Sequence, residues 1–197
     1  MIKAAIFDVG GVLTTTILNY MAEDLAKKHK MDEGLVFRTL HSKWNLYKVA
    51  EIGADEFWQA FIDEAKVDET ADNLKKMSLG YIKAKKEAFN VAKSLQGKYK
   101  LAIISNNADE WVVKERKIVD FSIFDVVIFS NEVHLAKPHK EIFMLCLKKL
   151  GLKAEECVFI DDQSNNIAAA EELGFNTIQF ENAAQLKKSL KGIGVEP

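Results

Sequence analysis

The chain has 197 residues, of which 48% are hydrophobic and 10% aromatic; this fills one domain, or one domain with an insertion, and excludes a disordered protein. Its 27 Lys and Arg residues nearly balance 29 Asp and Glu residues, for a formal net charge of -2. No broad basic surface is therefore expected to bind nucleic acid. The first apolar run meets Asp8 too early for a signal peptide or membrane span, so we expect a soluble cytoplasmic protein.

Five short apolar runs are typical of strands, and the first four have the composition of strands buried on both faces of a sheet. They lie at residues 4–8, 101–105, 126–130, 157–161 and, more weakly, 177–180. Helical periodicity predicts helices at residues 84–95, 109–119, 141–150 and 167–173. Because strands and helices alternate from about residue 86 onward, the sequence predicts an α/β fold. We expect a Rossmann-like, doubly wound parallel sheet in three α/β/α layers.

Residues 17–85 interrupt this alternation, because they have helical periodicity and no run typical of a buried strand. Leu18, Met21 and Leu25 recur at helical spacing, as do Phe57 and Phe61. The sequence therefore predicts a helical cap at residues 17–85, inserted into a Rossmann-like core of residues 1–16 and 86–197. Such a cap would lie over the sheet edge where ligands bind. Residues 192–197 are expected to form a loose tail.

Neither cysteine has the close pairing that a metal site or a redox dithiol requires. Cys146 lies in an apolar helical run, and Cys157 begins a predicted strand. We expect both to be buried, reduced thiols.

Polar residues stand at the carboxyl ends of three predicted strands. Asp8 ends the first, Ser105 and Asn106 the second, and Asp161 and Asp162 the fourth. Because the carboxyl ends of parallel strands meet at one edge of a sheet, we expect these side chains to share a pocket. Neighbouring carboxylates repel one another unless a cation lies between them, and oxygen ligands favour a hard ion. The sequence therefore predicts a Mg²⁺ site.

This arrangement suits phosphoryl transfer. A carboxylate whose charge is neutralised by a metal can attack phosphorus, and Asp8 would then carry an aspartyl-phosphate that water hydrolyses. Ser105 can donate a hydrogen bond to a phosphoryl oxygen. Lys137, in the connection before the helix at 141–150, can balance charge that grows in the transition state.

Four segments carry these residues in order along the chain. They are IFDVGGVLT at residues 6–14, IISNN at 103–107, the run from SNE through KP to IF at 130–143, and VFIDD at 158–162 followed by Asn166. In this order they resemble the motifs of the haloacid dehalogenase (HAD) superfamily. Three features look most like the subfamily that contains glucose-1-phosphate phosphatases and the phosphatase-like domain of epoxide hydrolases. They are Gly10, the run FIDD at 159–162, and Glu132 five residues before Lys137-Pro138. The resemblance spans nearly the whole chain and implies Mg²⁺-dependent hydrolysis of a small phosphorylated metabolite.

The resemblance also implies a role for each matching residue. It implies that Asp8 is the nucleophile and that Ser105 and Lys137 are the other catalytic residues. The residues implied to hold phosphate are Gly11, Ser105, Asn106 and Lys137. The residues implied to form the metal site, directly or through water, are Asp8, Gly10 through its carbonyl, Asp161, Asp162 and Asn166.

Gly10 departs from the family pattern, because its position is normally an Asp that protonates the leaving group and then activates water. General acid–base catalysis contributes roughly 10²–10⁴-fold, so the loss leaves several readings open. The substrate has a good leaving group, or a water or a cap residue supplies the proton; the cap candidates are His41, Glu51 and Asp55. Alternatively the protein is catalytically weak or inactive and binds phosphate only. Hydrolytic dehalogenation is less favoured, because enzymes of that kind normally lack the acidic pair that stands here at Asp161 and Asp162.

Two further observations refine this interpretation. His134 and His139 stand where Gly and Asp are more usual in the family, and we expect both to be solvated or satisfied locally. A phosphoacceptor signalling domain has similar side chains, but its acidic pair precedes its lysine. Here the pair follows Lys137, which argues against that class. The sequence predicts neither the substrate nor the oligomeric state.

Overall fold

The computed structural model describes all 197 residues and contains five β-strands. The strands are β1 (Ala4–Phe7), β2 (Lys100–Ser105), β3 (Val126–Phe129), β4 (Cys157–Asp161) and β5 (Asn176–Gln179). They form one sheet in the order β3-β2-β1-β4-β5, in which every neighbouring pair is parallel. Ala5 of β1 pairs with Leu101 of β2 on one side and with Val158 of β4 on the other. The predicted parallel sheet is confirmed.

Eleven α-helices accompany the sheet. They are α1 (Ile17–His29), α2 (Glu33–Ser42), α3 (Trp44–Tyr47), α4 (Ala54–Ala65), α5 (Ala71–Tyr81), α6 (Lys86–Ser94), α7 (Asp109–Glu115), α8 (Ser130–Val133), α9 (Lys140–Leu150), α10 (Ser164–Glu172) and α11 (Ala183–Gly192). None of them has both the length and the apolar character that spanning a bilayer requires.

The sheet is covered on both faces because successive side chains of a strand point to opposite sides. Ala5 and Phe7 pack with side chains of α6, α7 and α11 in a cluster of 24 buried residues. Ala4 and Ile6 pack with α9 and α10 in a second cluster of 15. The fold is therefore a Rossmann-like α/β/α sandwich, as predicted. We call the strands together with α6 to α11 the sheet core.

The strand order places the site at the middle of the sheet. The chain runs outward from β1 to β2 and β3, and from β4 to β5 on the other side, so the order reverses between β1 and β4. Ligands bind parallel sheets at such a reversal, beyond the carboxyl ends of the strands. Asp8 directly follows β1, and Asp161 is the last residue of β4.

Helices α1 to α5 lie between β1 and α6, and we call them the helical insertion. Their apolar side chains form a separate cluster of 17 buried residues, which includes Trp58 and, from the sheet core, Trp111 of α7. The chain enters and leaves the insertion through adjacent segments, because Thr14 and Ala84 form an antiparallel bridge. The insertion thus has its own apolar core and meets the sheet core at Trp111.

The structure corrects three local predictions. Ser130 does not end a strand but begins α8. The helix predicted to reach Val119 ends at Glu115. Residues 192–197 are not simply a loose tail, because Val195 is fully buried in the cluster that contains α6 and α11. An apolar residue near a chain end packs wherever a core surface lies within reach, which local sequence does not reveal.

Both cysteines are buried free thiols, as predicted. Burial raises the pKa of Cys146 and of Cys157 to about 12, so neither is a thiolate at neutral pH.

Candidate active site

The segment after β1 carries Asp8 to the sheet edge. The Asp8 amide donates to Ile160 O at 2.9 Å, and the Val9 amide donates to the Asp8 carboxylate at 2.7 Å. Gly11 then adopts a φ of +90°, a region that residues with a side chain rarely occupy. A Cβ at Gly11 would lie 2.3 Å from Oδ2 of Asp162. Glycine is therefore required for this loop to approach the acid that follows β4.

Lys137 bridges two aspartates at the centre of the site. Its Nζ lies 2.9 Å from Oδ1 of Asp8 and 2.6 Å from Oδ2 of Asp161, and the residue is 1% exposed. Burial alone would lower the pKa of Lys137, but the carboxylates of Asp161 and Asp8 raise it overall. Asn106 holds the Lys137 backbone, accepting from its amide at 2.8 Å and donating to its carbonyl at 2.9 Å. Lys137 is therefore a fixed ammonium.

Asp161 is fully engaged within the protein. Its Oδ1 accepts from the Gln163 amide at 2.8 Å, and Asn166 Nδ2 lies 3.1 Å from each carboxylate oxygen. Together with Lys137, these donors leave Asp161 little free capacity. In this geometry Asp161 holds Lys137, and the Nδ2 of Asn166 holds Asp161. The Oδ1 of Asn166 is not used in these contacts, and Asn166 also lines the cavity described below.

The three carboxylates of the site crowd one another. Oxygens of Asp8, Asp161 and Asp162 all lie within 4.8 Å of each other. Burial raises the pKa of Asp8 to about 7; Lys137 opposes this shift, and Asp161 and Asp162 add to it. Burial and Asp161 also raise the pKa of Asp162, whose buried Oδ1 has no hydrogen-bond partner. A bare carboxylate oxygen next to a second carboxylate fits a hard divalent cation with oxygen ligands.

Ser105 ends β2, the strand beside β1. It is fully buried, and its Oγ has no hydrogen-bond partner. An unsatisfied buried hydroxyl costs about 1–3 kcal/mol, so it is a donor without an acceptor within the chain. This is the state expected of a hydroxyl that binds an oxygen of a ligand.

Gly10 leaves space where a side chain would point. No heavy atom lies within 4 Å of a Cβ built at Gly10, and the residue lines the cavity described next. The acid that the HAD pattern usually has here is therefore missing without a neighbour filling its volume.

A cavity of about 430 Å³ separates the sheet edge from the helical insertion. The sheet core contributes predicted site residues to its wall, namely Asp8, Gly10, Asn106, Lys137 and Asn166. The insertion contributes polar and aromatic residues, among them Asn19, His41, Trp44, Asn45 and Lys48. Asp8, Lys137 and two predicted amides thus share one cavity, and the insertion forms the opposite wall. Four further predicted residues do not line the cavity, namely Gly11, Ser105, Asp161 and Asp162; Asp161 and Asp162 lie behind it, beside Asp8.

One of the three predicted proton donors of the insertion reaches this cavity. His41 lines it, with Nδ1 at 2.8 Å from Phe37 O. Burial lowers the pKa of His41. Glu51 is exposed and Asp55 is paired with Lys75, and neither lines the cavity.

The two unusual histidines differ in position. His134 Nδ1 lies 2.7 Å from Val49 O, so His134 is satisfied locally, as expected. His139 lines the cavity beside Pro138.

Two buried ionisable residues of the cavity were not predicted. Lys48 is 8% exposed, and burial and Lys137 lower its pKa. Glu115 is 1% exposed and accepts from Thr14 Oγ1 at 3.0 Å and from Asn107 Nδ2 at 2.6 Å. Burial raises the pKa of Glu115 to about 7, against the effect of these hydrogen bonds. A signal for both existed, since each lies four residues, about one helical turn, after a buried or half-buried tryptophan.

Two curated relatives resemble different lengths of this chain. D-ribitol-5-phosphate phosphatase of Bacteroides thetaiotaomicron is 26% identical over 202 residues, covering 96% of this chain and 97% of that protein. The mouse acyl-CoA dehydrogenase family member 10 is 33% identical over 102 residues. That match covers 52% of this chain but only 9% of the longer mouse protein.

A similar fold is found in a crystal structure of a HAD family enzyme from Bacteroides thetaiotaomicron, in complex with magnesium and inorganic phosphate. The TM-score is 0.70 at 21% identity, with 92% of this chain and 96% of that chain covered. The sequence model of the haloacid dehalogenase-like hydrolases matches residues 2–174. The match extends over β1, the helical insertion and all the strand ends described above. The chain therefore belongs to the haloacid dehalogenase-like hydrolase family.

Proposed function

We propose that the protein is a magnesium-dependent phosphohydrolase that acts on a small phosphate ester or activated phosphate through an aspartyl-phosphate on Asp8. In this proposal residues 1–16 and 86–197 form the catalytic core. Residues 17–85 form a cap that closes the substrate cavity.

The observation that carries the proposal is the pairing of Asp8 with a buried ammonium. Lys137 holds Asp8 at 2.9 Å and is itself held by Asp161 at 2.6 Å. Such a contact fixes the direction of the Asp8 carboxylate and favours its ionised form against the effect of burial, and a bound divalent cation would favour that form further. An oriented, ionised carboxylate at the base of a polar cavity is suited to attack on phosphorus.

The side chains present fit a magnesium ion. Asp8 and Asp162 would hold it, with the Gly10 carbonyl as a further ligand. Asp161 and Asn166, predicted from the resemblance as ligands, would support the site by orienting Lys137. The bound ion would supply positive charge that lets the carboxylates and a substrate phosphate lie together.

Each part of the reaction is assigned to residues of this chain. A carboxylate oxygen of Asp8 attacks phosphorus, the ester P–O bond breaks, and the leaving oxygen departs with the electrons of that bond. Ser105 Oγ donates a hydrogen bond to a phosphoryl oxygen, and Lys137 balances the charge that develops near Asp8. Gly11 and Asn106 shape the phosphate position. Water then attacks phosphorus and regenerates the Asp8 carboxylate.

The relatives support phosphate esters as substrates, since the full-length bacterial match is named for D-ribitol-5-phosphate. The related structure with magnesium and inorganic phosphate supports the metal and the product. Hydrolytic dehalogenation also begins with an attacking aspartate, but it has no need for crowded carboxylates with a bare oxygen at Asp162.

Hydrolysis of 4-nitrophenyl phosphate with and without Mg²⁺ tests the proposal. We expect Mg²⁺-dependent turnover that falls by at least about 1,000-fold in Asp8→Asn, because the nucleophile is lost. Asp68→Asn, which changes an exposed aspartate of the insertion, serves as the matched control and should retain wild-type rates. Wild-type turnover no faster than that of Asp8→Asn would instead identify a phosphate-binding protein.

A further inference from the structure

The helical insertion contributes a buried cation that has no anionic partner. Lys48 is 8% exposed, yet it takes part in none of the ion pairs of the structure. Its Nζ reaches only the Lys137 carbonyl, at 3.5 Å. Burying an ammonium without a counterion costs several kcal/mol. Such a cost is compensated when an anion enters the adjoining cavity.

The position of Lys48 is fixed by the sheet core. The Ser130 hydroxyl donates to the Lys48 carbonyl, and His134 Nδ1 lies 2.7 Å from the carbonyl of Val49. Both partners belong to the segment that leads to Lys137. The backbone that bears Lys48 is therefore docked where the insertion meets the catalytic lysine.

The balance of charges in the cavity favours a further cation near the substrate. Asp8, Asp161 and Asp162 carry three negative charges, and Lys137 with a divalent ion would supply three positive ones. Lys85 acts on Asp162 but does not line the cavity, so a phosphate ester dianion in the cavity would gain from a further cation. Besides Lys137, Lys48 is the only lysine or arginine that lines the cavity.

The geometry of displacement on phosphorus also favours the insertion. The attacking and leaving oxygens lie roughly in line, so the leaving oxygen points away from Asp8 and toward the opposite wall. That wall is formed by the insertion, while Gly10 on the core side carries no side chain.

We propose that Lys48 is the general acid of the reaction and replaces the acid that Gly10 lacks. This inference rests on the proposed phosphohydrolase function. As the Asp8–phosphorus bond forms and the ester P–O bond breaks, the leaving oxygen takes a proton from the Lys48 ammonium. The resulting amine then accepts a proton from the water that attacks the aspartyl-phosphate. This step releases phosphate and restores both the Asp8 carboxylate and the Lys48 ammonium.

Other ionisable groups of the cavity are less suited. Both oxygens of Glu115 are engaged by Thr14 and Asn107. Burial lowers the pKa of His41, so its imidazole is a poor proton donor at neutral pH. His139 is exposed to solvent at the start of α9, on the core side of the cavity. Burial and the charge of Lys137 lower the pKa of Lys48, which brings an amine closer to the range in which it can give and regain a proton.

The test compares leaving groups. With saturating Mg²⁺, kcat/KM is measured on phenyl phosphate, whose leaving group needs a proton, and on 4-nitrophenyl phosphate, whose leaving group does not. Lys48→Met should lose roughly 30-fold or more on phenyl phosphate and less than about threefold on 4-nitrophenyl phosphate. Lys43→Met, which removes an exposed lysine of the insertion, is the matched control and should lose neither activity.

Two further variants distinguish proton transfer from charge or structure. Lys48→Arg keeps the charge but cannot give up a proton, so it should show the same selective loss as Lys48→Met. Gly10→Asp in the Lys48→Met background should restore phenyl phosphate hydrolysis at least tenfold. Equal losses on both substrates, or full activity of Lys48→Arg, would overturn the assignment of Lys48. Absence of turnover by the wild type would instead overturn the proposed function.

Discussion

The two walls of the cavity differ in how their charged groups are held. In the sheet core, Lys137 and Asp161 are buried and bonded on every side. In the insertion, Lys48 is buried but almost without partners. A paired group holds one geometry, whereas a buried charge without a partner is free to pair with an anion that enters the cavity. In the proposed function the core would therefore provide fixed catalytic groups, and the insertion would provide the group that responds to substrate.

Removing the central cation of the core should have the largest effect. Lys137→Met leaves Asp8 and Asp161 buried without their partner, and we expect a loss of about 3–5 kcal/mol in the free energy of unfolding. Urea denaturation measures this change. Lys148→Met, on the exposed side of α9, should change stability by less than about 0.5 kcal/mol. An equally small change in the free energy of unfolding for Lys137→Met would show that the contacts of Lys137 with Asp8 and Asp161 do not stabilise the fold.

Glu115 allows the core to be tested by pH. Its pKa is raised from 4.5 to about 7 in the folded protein, so the folded state binds this proton more tightly than the unfolded state. The protonated form stabilises the fold fully below pH 4.5, and this stabilisation is lost as pH rises to 7. Relative to Glu115→Gln, the wild type should lose about 3 kcal/mol over that window. Parallel stability curves would contradict the raised pKa.

The adjacent glycines of the first loop provide a sharper test of geometry. Gly11→Ala forces a side chain into a φ of +90° and against Asp162, which should cost about 1–3 kcal/mol. It should also weaken Mg²⁺ binding, measured by calorimetry, because the Asp162 carboxylate must move. Gly10→Ala has open space around its new Cβ, so it should cost less than about 1 kcal/mol. Equal effects would mean that the loop is not closely packed on Asp162.

The smallest expected effect concerns the contact between insertion and core. Trp111 Nε1 donates to Ser78 Oγ at 3.0 Å, and Ser78 Oγ donates to Lys75 O. Ser78→Ala leaves the indole donor unsatisfied and should cost about 1–2 kcal/mol. Ser94→Ala removes the same kind of intrahelical bond, to Val91 O, where no indole donates. A loss no greater than that of this control would show that the contact does not hold the insertion.

The meeting of side chains at the sheet edge could be predicted from the sequence, because strand ends are local features that parallel topology brings together. Asp8, Ser105 and Asp161 could be identified from apolar runs that end in polar residues. The Lys137 bridge agrees with the expected charge balance. Predicting that these residues meet requires only the order of strands and helices, not the packing of side chains.

The insertion side was predicted less well, since helical periodicity identifies packed faces but not which faces meet. Lys48 and Glu115 are charged residues that tertiary contacts bury, and their spacing from a tryptophan was the only local sign. Of His41, Glu51 and Asp55, only His41 lines the cavity. Which of these three residues lines the cavity depends on how the helices of the insertion pack on the sheet core, and the sequence alone does not show this packing.

The two chain segments that connect the sheet core to the insertion are hydrogen-bonded to each other, next to the bridge between Thr14 and Ala84. This pairing bears on how related proteins can vary. Thr15 N donates to Lys83 O at 3.0 Å, and Lys85 N donates to Leu13 O at 2.7 Å, so the two points where the chain leaves the sandwich are already joined. A short link across them would close the sandwich without altering any strand. This junction could therefore accept helical insertions of other lengths and shapes. In the proposed function, such an exchange would change substrate preference and leave the sheet core as it is.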